Sequence, residues 1–267
     1  MAPDDRSPSR TTERAMAILD YMAAVRSPVG ISEVARSLSI PKSSVFSIMH
    51  TLVRGRYAEV DDAERMTFRL GFRLFQTGIT YLANIEFHSL AHPLLHELMN
   101  RLQETIHLAV EDDKHLVFVD SIEAKHRLLR SVARLGRSES PMYCSGLGKA
   151  LLAAWSNQEL VDEFRGATFT PVTANTVRNF AELLEEIKRT RQRGYAIDRM
   201  ESNSDLFCVA CPLYDRTGRV VAAISCTAPA STMDESLDDI AEAVTGTAFL
   251  ISQRLGFPGT RFYAEFG

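Results

Sequence analysis

Apolar residues recur at helical spacing in three segments near the start of the chain. The first spans Glu13–Val25, and the second begins near Ser32, a residue type that often caps a helix. The pattern stops near Leu38 and resumes after Pro41, because proline suits the first turn of a helix but not its interior. In the third segment apolar side chains lie at i, i+3, i+4 and i+7, namely Val45, Ile48, Met49 and Leu52. The pattern therefore predicts three short helices, the last two joined by a tight turn.

Two short alternating stretches follow the third helix. Tyr57–Val60 and Met66–Leu70 alternate in the manner of strands, and the residues between them, Asp61–Glu64, are typical of a turn. Three helices followed by a hairpin are the layout of a winged helix-turn-helix, whose recognition helix enters the major groove of DNA. For the helix pair taken alone, an ordinary helical hairpin with a solvated second helix remains the alternative.

The polar positions of these elements are candidates for contacts with DNA. Small hydroxyl side chains and one lysine suit entry into a major groove, and the arginines of the hairpin are placed to meet backbone phosphates. The segment that precedes Glu13 is rich in proline and serine and is expected to be mobile. The predicted DNA-binding residues are Arg10, Arg14, Lys42, Ser43, Ser44, Ser47, His50, Arg65 and Arg69.

The rest of the chain mixes strand-like and helical stretches, which predicts an α+β domain built on an antiparallel sheet. The predicted strands are Thr105–Val110, Leu116–Ser121, Leu128–Ala133, Tyr195–Arg199, Phe207–Tyr214 and Val220–Thr227. The predicted helices are Pro93–Gln103, Gly148–Trp155, Ser156–Phe164, Phe180–Arg193 and Met233–Leu255.

Several stretches together resemble the IclR family of transcriptional regulators. In the amino-terminal part these are RAMAILDYM, ISEVARSLSIPKSSVFSIMHTL, RGRYAEV and FRLGFRLFQTG; in the remainder they are SGLGKALLA, RGYAIDRMES and CVACPLYDRTGRVVAAISCTAP. The resemblance covers Thr12–Leu255. It implies a winged helix-turn-helix in residues 1–75, a linker helix in 76–90 and a GAF-like effector-binding domain in 91–267. The implied function is a sequence-specific regulator that binds operator DNA and responds to a small organic acid, aromatic acids included.

The resemblance also implies an effector pocket on one face of the sheet. Backbone N–H groups of the loop before Gly148 would receive a carboxylate, and polar and apolar side chains would form the floor and walls. The implied effector-binding residues are Leu129, Val132, Met142, Ser145, Gly146, Leu147, Asp198, Cys208, Ser225 and Thr227. Without the resemblance, the apolar members fit an ordinary core and Asp198 fits a surface strand end. In the recognition helix the family often has an arginine where this chain has Ser47.

The linker segment carries an apolar stripe that includes Phe72, Leu74, Phe75, Ile79, Leu82 and Ile85. It reads either as a core helix of one domain or as a surface that meets a partner chain. We favour the second, because two copies of a helix-turn-helix would match the two halves of a pseudo-palindromic operator. The resemblance implies homodimers that pair into tetramers.

Charge and composition add little to this picture. The 267 residues carry a net charge of −4, with 11 Lys and Arg against 9 Asp and Glu in residues 1–75. That amino-terminal excess is mild and gives weak support for a DNA-binding face. The chain has no run of about 18 apolar residues and no signal-like start, so we expect a cytoplasmic protein.

The sequence gives no support for a metal site, a cofactor site or an enzymatic activity. Cys208 and Cys211 lie in a predicted strand, where residues three apart point to opposite faces and cannot bind one ion. His88, His92 and His96 repeat every four residues, but Pro93 is expected to begin a new helix and no carboxylate repeats on that face. The alternative function is an enzyme or small-molecule-binding protein that uses its helix-turn-helix to contact other proteins.

Overall fold

The computed structural model describes residues 9–83, 86–124, 135–138 and 140–266. The chain divides into two compact units, one that ends at Ile85 and one that begins at Glu86.

The amino-terminal unit is a winged helix-turn-helix. Its elements in chain order are α1 (Arg10–Val25), β1 (Val29–Gly30), α2 (Ile31–Ser37), α3 (Lys42–Arg54), β2 (Ala58–Asp62), β3 (Thr67–Leu70) and α4 (Phe72–Ala83). The strands form an antiparallel sheet in the order β1-β3-β2. The three predicted helices and the hairpin are confirmed, whereas the two-residue β1 is too short for any periodicity to reveal.

The first two helices begin at other residues than predicted, whereas the third begins after Pro41 as predicted. Gly30, and not Ser32, precedes α2, and its N–H donates to the Glu33 carboxylate at 3.3 Å. Pro41 precedes α3, and its carbonyl oxygen accepts from the N–H groups of Ser44 and Val45 at 2.9 and 3.1 Å. The first helix begins at Arg10, so the expected mobility is wrong for the stretch that holds the first two candidate arginines.

The core of this unit comes from the apolar faces that the periodicity predicts. All four apolar residues at helical spacing in α3 are buried, and they pack against side chains from α1, α2 and the small sheet. The completely buried members are Ile18, Val29, Val34, Val45 and Met49. Packing on one face of α3 therefore leaves the other face free for solvent or a ligand.

The carboxy-terminal unit is a six-stranded antiparallel sheet covered by helices, which confirms the predicted α+β class. Its strands are β4 (Thr105–Asp112), β5 (His115–Ile122), β6 (Gly136–Arg137), β7 (Ala196–Arg199), β8 (Leu206–Tyr214) and β9 (Val220–Pro229). Its helices are α5 (Glu86–Leu102), α6 (Gly146–Leu152), α7 (Asn157–Phe164), α8 (Phe180–Arg193) and α9 (Met233–Arg254). The sheet order is β6-β5-β4-β9-β8-β7. The predicted strand Leu128–Ala133 lies outside the described residues.

Different helices cover the two faces of this sheet. Cys211 of β8 places its sulfur 3.4 Å from the Thr245 hydroxyl of α9, so its face meets α9. Cys208 points the other way, toward Gly146 at the start of α6. The opposite orientation predicted for the two cysteines is therefore correct, and they cannot bind one ion together.

Helix α5 continues through Pro93, so the expectation of a new helix at that residue is wrong. A proline inside a helix removes one backbone hydrogen bond and costs about 3 kcal/mol. Burial of Leu94, Leu95 and Leu98 on the sheet offsets that cost, since each fully buried leucine contributes about 1.5–3 kcal/mol. None of the helices in the described ranges combines the length and the apolar character needed to cross a membrane.

Candidate DNA-binding face and effector site

The outer face of α3 carries the candidate groups for base recognition. Lys42 is the first residue of the helix, and it is exposed together with Ser43, Ser47 and His50. Ser44 is half-buried, and its hydroxyl accepts from the Arg14 guanidinium of α1 at 3.5 Å. The predicted polar residues of α3 therefore lie on its solvent side together with the exposed Phe46, whose ring contacts His50.

The two wing arginines lie on the hairpin as predicted, but each contacts a carboxylate of the same hairpin. Arg65 lies 3.6 Å from Asp62, and Arg69 lies 3.3 Å from Glu59. The arginine side chains are 83% and 60% exposed, and exposed pairs of this kind contribute only about 0–1 kcal/mol. A DNA phosphate can therefore compete for either guanidinium at small cost.

The start of α6 packs so closely against its surroundings that two of its positions have no room for a side chain. Ser145 caps α6, because its hydroxyl accepts from the Gly148 N–H at 3.0 Å. A Cβ atom on Gly148 would lie 2.2 Å from the Met142 carbonyl oxygen, and one on Gly146 would lie 2.9 Å from the Cys208 sulfur. Both glycines are required by close approach, and the loop therefore lies directly over β8.

Strand register brings most of the predicted floor residues onto the face below this loop. Cys208 pairs with Asp198 on one side and with Thr227 on the other. Ser225 is two residues from Thr227 and shares its face. Among the predicted wall residues Met142 and Leu147 are buried, whereas Leu129 and Val132 lie outside the described residues.

The same register reveals a residue that the sequence reading missed. His107 of β4 lies directly across from Ser225, on the face of the strand that it shares with Thr105, Ala109 and Glu111. Both ring nitrogens of His107 and the Ser225 hydroxyl oxygen are buried without a hydrogen bond among the described residues. The Cys208 thiol lies beside the Ser225 hydroxyl, but a thiol is only a weak hydrogen-bond partner. A histidine at an inward-facing position of an otherwise apolar strand is the signal that could have identified it.

Comparison with known proteins agrees with these features. The sequence profile of the IclR helix-turn-helix domain matches residues 11–62, and that of the bacterial transcriptional regulator IclR C-terminal domain matches residues 79–253. The chain belongs to the IclR family. It is therefore a transcriptional regulator with an amino-terminal helix-turn-helix for DNA and a carboxy-terminal effector-binding domain.

Three relatives of this IclR-family regulator illustrate the match. It is 32% identical to the HTH-type transcriptional repressor AllR of Salmonella typhi over 255 residues, which cover 95% of this chain and 93% of AllR. The crystal structure of Thermotoga maritima IclR aligns with a TM-score of 0.74 and 28% identity, covering 92% of this chain and 99% of that one. An IclR homologue from Microbacterium hydrocarbonoxydans, complexed with 4-hydroxybenzoate, aligns with a TM-score of 0.81 and 21% identity, covering 92% and 98%. AllR is named a transcriptional repressor, which agrees with the membership of this chain in a family of transcriptional regulators.

A buried ionic network lies next to the floor of the regulator's sheet. Lys149 of α6 is completely buried, and its ammonium group contacts the Glu201 carboxylate, which is also buried. Asp198, which is only 3% exposed, accepts from the N–H of Glu201 at 2.6 Å and from the Ser202 hydroxyl. Asp198 is thus no surface carboxylate, and its oxygens hold the turn after β7.

Burial raises the pKa of both carboxyl groups. It raises the pKa of Asp198, although hydrogen bonds from Ser202 and the charge of Lys149 oppose the shift. It also raises the pKa of Glu201 against the opposing effect of Lys149. Lys149 and Glu201 were not predicted as a pair, because they are far apart in sequence and only the fold brings them together.

The four cysteines of the regulator are buried. Burial raises the pKa of Cys144, Cys208 and Cys211 to about 12 in each case. A thiolate is the form that binds metals and attacks electrophiles, so neutral buried thiols do neither. These cysteines are packing residues, and Cys208 also lies on the face below the α6 loop.

Two histidines of α5, His88 and His92, contact a carboxylate that belongs to the neighbouring strand β5. Asp120 of β5 lies 2.6 Å from His92 and 3.4 Å from His88, and one atom of each group falls within 4.8 Å of the others. Ligands of one tetrahedral zinc ion stand roughly 3.3 Å apart, since each lies about 2.0–2.1 Å from the metal. The shorter contact is an ordinary hydrogen bond, and we interpret the group as a polar link between α5 and β5.

A separate cleft of 390 Å³ lies away from the α6 loop. Residues from α8, α9 and the segment after α9 line it, including Arg193, Gly246 and Phe262. It contains none of the predicted effector-binding residues. Two of the arginines that line it are already engaged, because Arg191 donates to the carbonyl oxygen of Ala153 and the Arg193 guanidinium contacts Glu186.

Proposed function

We propose that this regulator binds a pseudo-palindromic operator through α3, and that a small organic acid bound under the α6 loop changes its affinity for DNA. The observation that carries the proposal is the pair of polar surfaces described above, one on the outside of α3 and one inside the carboxy-terminal unit. The first faces solvent, as a DNA-reading helix must. The second is enclosed, as a site for a small molecule must be. We place the protein's action in the cytoplasm, where its DNA target would lie.

We assign base contacts mainly to the start of α3. Lys42 can donate to guanine or to a phosphate, and Ser43 and Ser47 can donate to or accept from base edges. Because Ser47 replaces a residue that is often arginine in the family, a bidentate guanine contact is absent there. Ser44 is engaged with Arg14, so that pair supports the orientation of α3, while His50, Arg10, Arg65 and Arg69 would contribute to the DNA-facing surface.

Replacement of Lys42 by alanine should weaken operator binding about 10- to 100-fold. The change removes one cationic contact from each copy of the chain, and two copies together lose about 1.4–2.7 kcal/mol. Fluorescence anisotropy with DNA from upstream of the chain's own gene measures the effect, and the slope of affinity against salt should become shallower. Lys188→Ala is the control and should leave operator affinity unchanged, because Lys188 is an exposed lysine of α8 in the carboxy-terminal unit.

The same titration distinguishes the alternative function. The alternative is an enzyme or small-molecule-binding protein whose helix-turn-helix contacts other proteins. Such a protein would bind none of the upstream DNA fragments, even at low salt. Equal affinity of the wild type and Lys42→Ala would show that α3 does not carry the DNA contacts.

We propose that the effector is a small organic acid that lies beside the α6 loop, on the face of the sheet that carries Cys208 and Ser225. The carboxylate would meet the backbone of Ser145–Leu147, where Gly146 leaves no side chain in the way. Cys208, Ser225 and Thr227 line the face below, and the buried Ser225 hydroxyl has only the Cys208 thiol, a weak hydrogen-bond partner, beside it. The 4-hydroxybenzoate complex of the Microbacterium homologue supports an aromatic acid as one member of this class. An effector that binds one conformation of the protein more tightly than another would increase the population of that conformation. Depending on which conformation it is, the protein would bind DNA more tightly or more weakly.

We further propose that α4 forms a homodimer with a second copy of the chain, and that dimers pair into tetramers. Phe72, Phe75 and Ile79 lie at i, i+3 and i+7 on α4 and are 51%, 57% and 50% exposed. Three large apolar side chains on one helix face are costly to leave in water. A second copy is the occupant that would also supply the other half-site contact.

The double substitution Phe75→Glu with Ile79→Glu should convert the dimer into a monomer. Two carboxylates on the α4 stripe would face two more from the partner, and an apolar contact cannot tolerate unpaired charge. Light scattering after size-exclusion chromatography measures the mass. Thr77→Glu is the control, because Thr77 lies on the opposite side of the helix and should leave the mass unchanged. A double variant with the mass of the wild type would refute this role for α4.

A further inference from the structure

His107 is a buried polar side chain that the protein itself leaves without a partner. The ring is 2% exposed, and both of its nitrogens lack a hydrogen bond among the described residues. Ser225, directly across the β4–β9 pair, has a buried hydroxyl oxygen with no strong hydrogen-bond partner among the described residues, because its neighbour is the weakly bonding Cys208 thiol. Buried polar atoms in native proteins nearly always have a partner, so two adjacent exceptions on one face indicate a site where a ligand completes the bonding.

The protonation state of His107 limits what that ligand group can be. Burial lowers its pKa to about 4, although the charge of Asp120 acts in the opposite direction. The imidazole is therefore neutral near pH 7, with one nitrogen that donates and one that accepts. A neutral imidazole and a hydroxyl suit a neutral hydroxyl or carbonyl group better than a second carboxylate.

The position of His107 indicates which end of the effector it would meet. The α6 loop lies over Cys208 in β8, and β9 separates β8 from β4. Neighbouring strands are about 4.8 Å apart, so two spacings place β4 about 10 Å from β8. The Phe118 ring stands edge-on to His107 at 5.4 Å and closes the site on the β5 side.

We propose that His107 and Ser225 bind a neutral hydroxyl or carbonyl group at the end of the effector opposite its carboxylate. This inference rests on the proposed function, since it takes the carboxylate to lie at the α6 loop. It narrows the effector class from organic acids in general to extended acids with a second, uncharged hydrogen-bonding group. An acid of two or three carbons would be too short to contact both ends of the site.

Matched pairs of acids test the proposal with the full chain. The probes are 4-hydroxybenzoate with benzoate and 6-hydroxyhexanoate with hexanoate, measured by isothermal titration calorimetry and by thermal shift. In at least one pair the hydroxylated acid should bind the wild type at least about 10-fold more tightly, because it satisfies groups that its partner leaves unpaired. In His107→Leu this preference should disappear, while affinity for the unsubstituted acid stays within about 2-fold.

Two further variants separate ligand recognition from folding. His107→Gln keeps a donor and an acceptor and should retain part of the preference. His115→Leu, on the neighbouring strand, removes a histidine outside the site and should leave the preference unchanged. Without ligand, His107→Leu should melt no lower than the wild type, because it loses no hydrogen bond; a structural role for His107 predicts a lower melting temperature.

The outcomes distinguish this inference from the function on which it rests. Equal binding of both members of every pair, or a preference that survives in His107→Leu, would overturn the role of His107 and leave an acid effector in place. Failure of all four acids to bind the wild type would overturn both the inference and the proposed class of effector.

Discussion

Replacing Lys149 with methionine should lower the free energy of unfolding of the carboxy-terminal unit by about 3–5 kcal/mol, because it leaves a buried carboxylate unpaired. Lys149 is completely buried and contacts Glu201, which is itself only 6% exposed. Methionine fills a similar volume without supplying a charge. Urea denaturation followed by circular dichroism measures the loss. Lys114→Met is the control and should change the stability much less, since the Lys114 ammonium group is exposed to solvent and its contact with Glu163 is screened.

A second substitution and a change of pH identify the cause of that loss. Lys149→Met combined with Glu201→Gln should recover part of the stability, because the unpaired charge is removed together with its partner. Burial already raises the pKa of Glu201, so the folded variant would hold a proton that the unfolded chain releases. The deficit should therefore shrink as the pH falls from neutral toward the ordinary range of a glutamate, and grow as the pH rises. A deficit that is independent of pH would mean that packing, and not charge, explains the effect.

Replacing Gly148 with alanine should destabilise the same unit by about 3 kcal/mol, even though alanine is the better helix former. The added Cβ would lie 2.2 Å from the Met142 carbonyl oxygen and 2.5 Å from the Met142 Cα, and both atoms belong to the backbone. The intrinsic gain of about 1 kcal/mol in a helix cannot offset a displaced backbone. The loop over the proposed effector site would also shift, so acid binding should weaken in the variant.

Gly246 provides the matched control for that change. It lies within α9, it is exposed, and a Cβ atom built on it would meet nothing within 4 Å. Gly246→Ala should therefore stabilise the protein by about 0.5–1 kcal/mol. Urea titrations of the two variants that gave shifts of the same sign would contradict the steric explanation for Gly148.

Apolar spacing and strand alternation predicted the helices and strands that are determined by neighbouring residues in the sequence. The apolar spacing of α3 and the stop before Pro41 defined the recognition helix, and the predicted strands Phe207–Tyr214 and Val220–Thr227 correspond to β8 and β9. Cys208 and Cys211 were correctly assigned to opposite faces, because side chains alternate along any strand. The resemblance to the IclR family supplied the order of the domains, which no single motif would establish.

Contacts between distant segments could not be read from the sequence. The carboxylate that meets His92 belongs to a neighbouring strand, and Pro93 stays inside a helix only because residues around it are buried on the sheet. The partner of Lys149 follows 52 positions later, and nothing local indicates that a lysine in an apolar helix is paired. The role of His107 depends on its register with Ser225, which is a property of the assembled sheet.

The alternation of side chains along β4 and β9 has a practical consequence for redesign. His107 and Ser225 lie on the face below the α6 loop, whereas their neighbours Leu108 and Ile224 are completely buried on the other face. In the proposed effector site, therefore, the residues that would contact the ligand alternate along β4 and β9 with the residues that form the buried core. A library that varies only the first set would retune what the regulator senses while its folded scaffold is left intact, which makes this sheet a suitable starting point for a transcription-based biosensor.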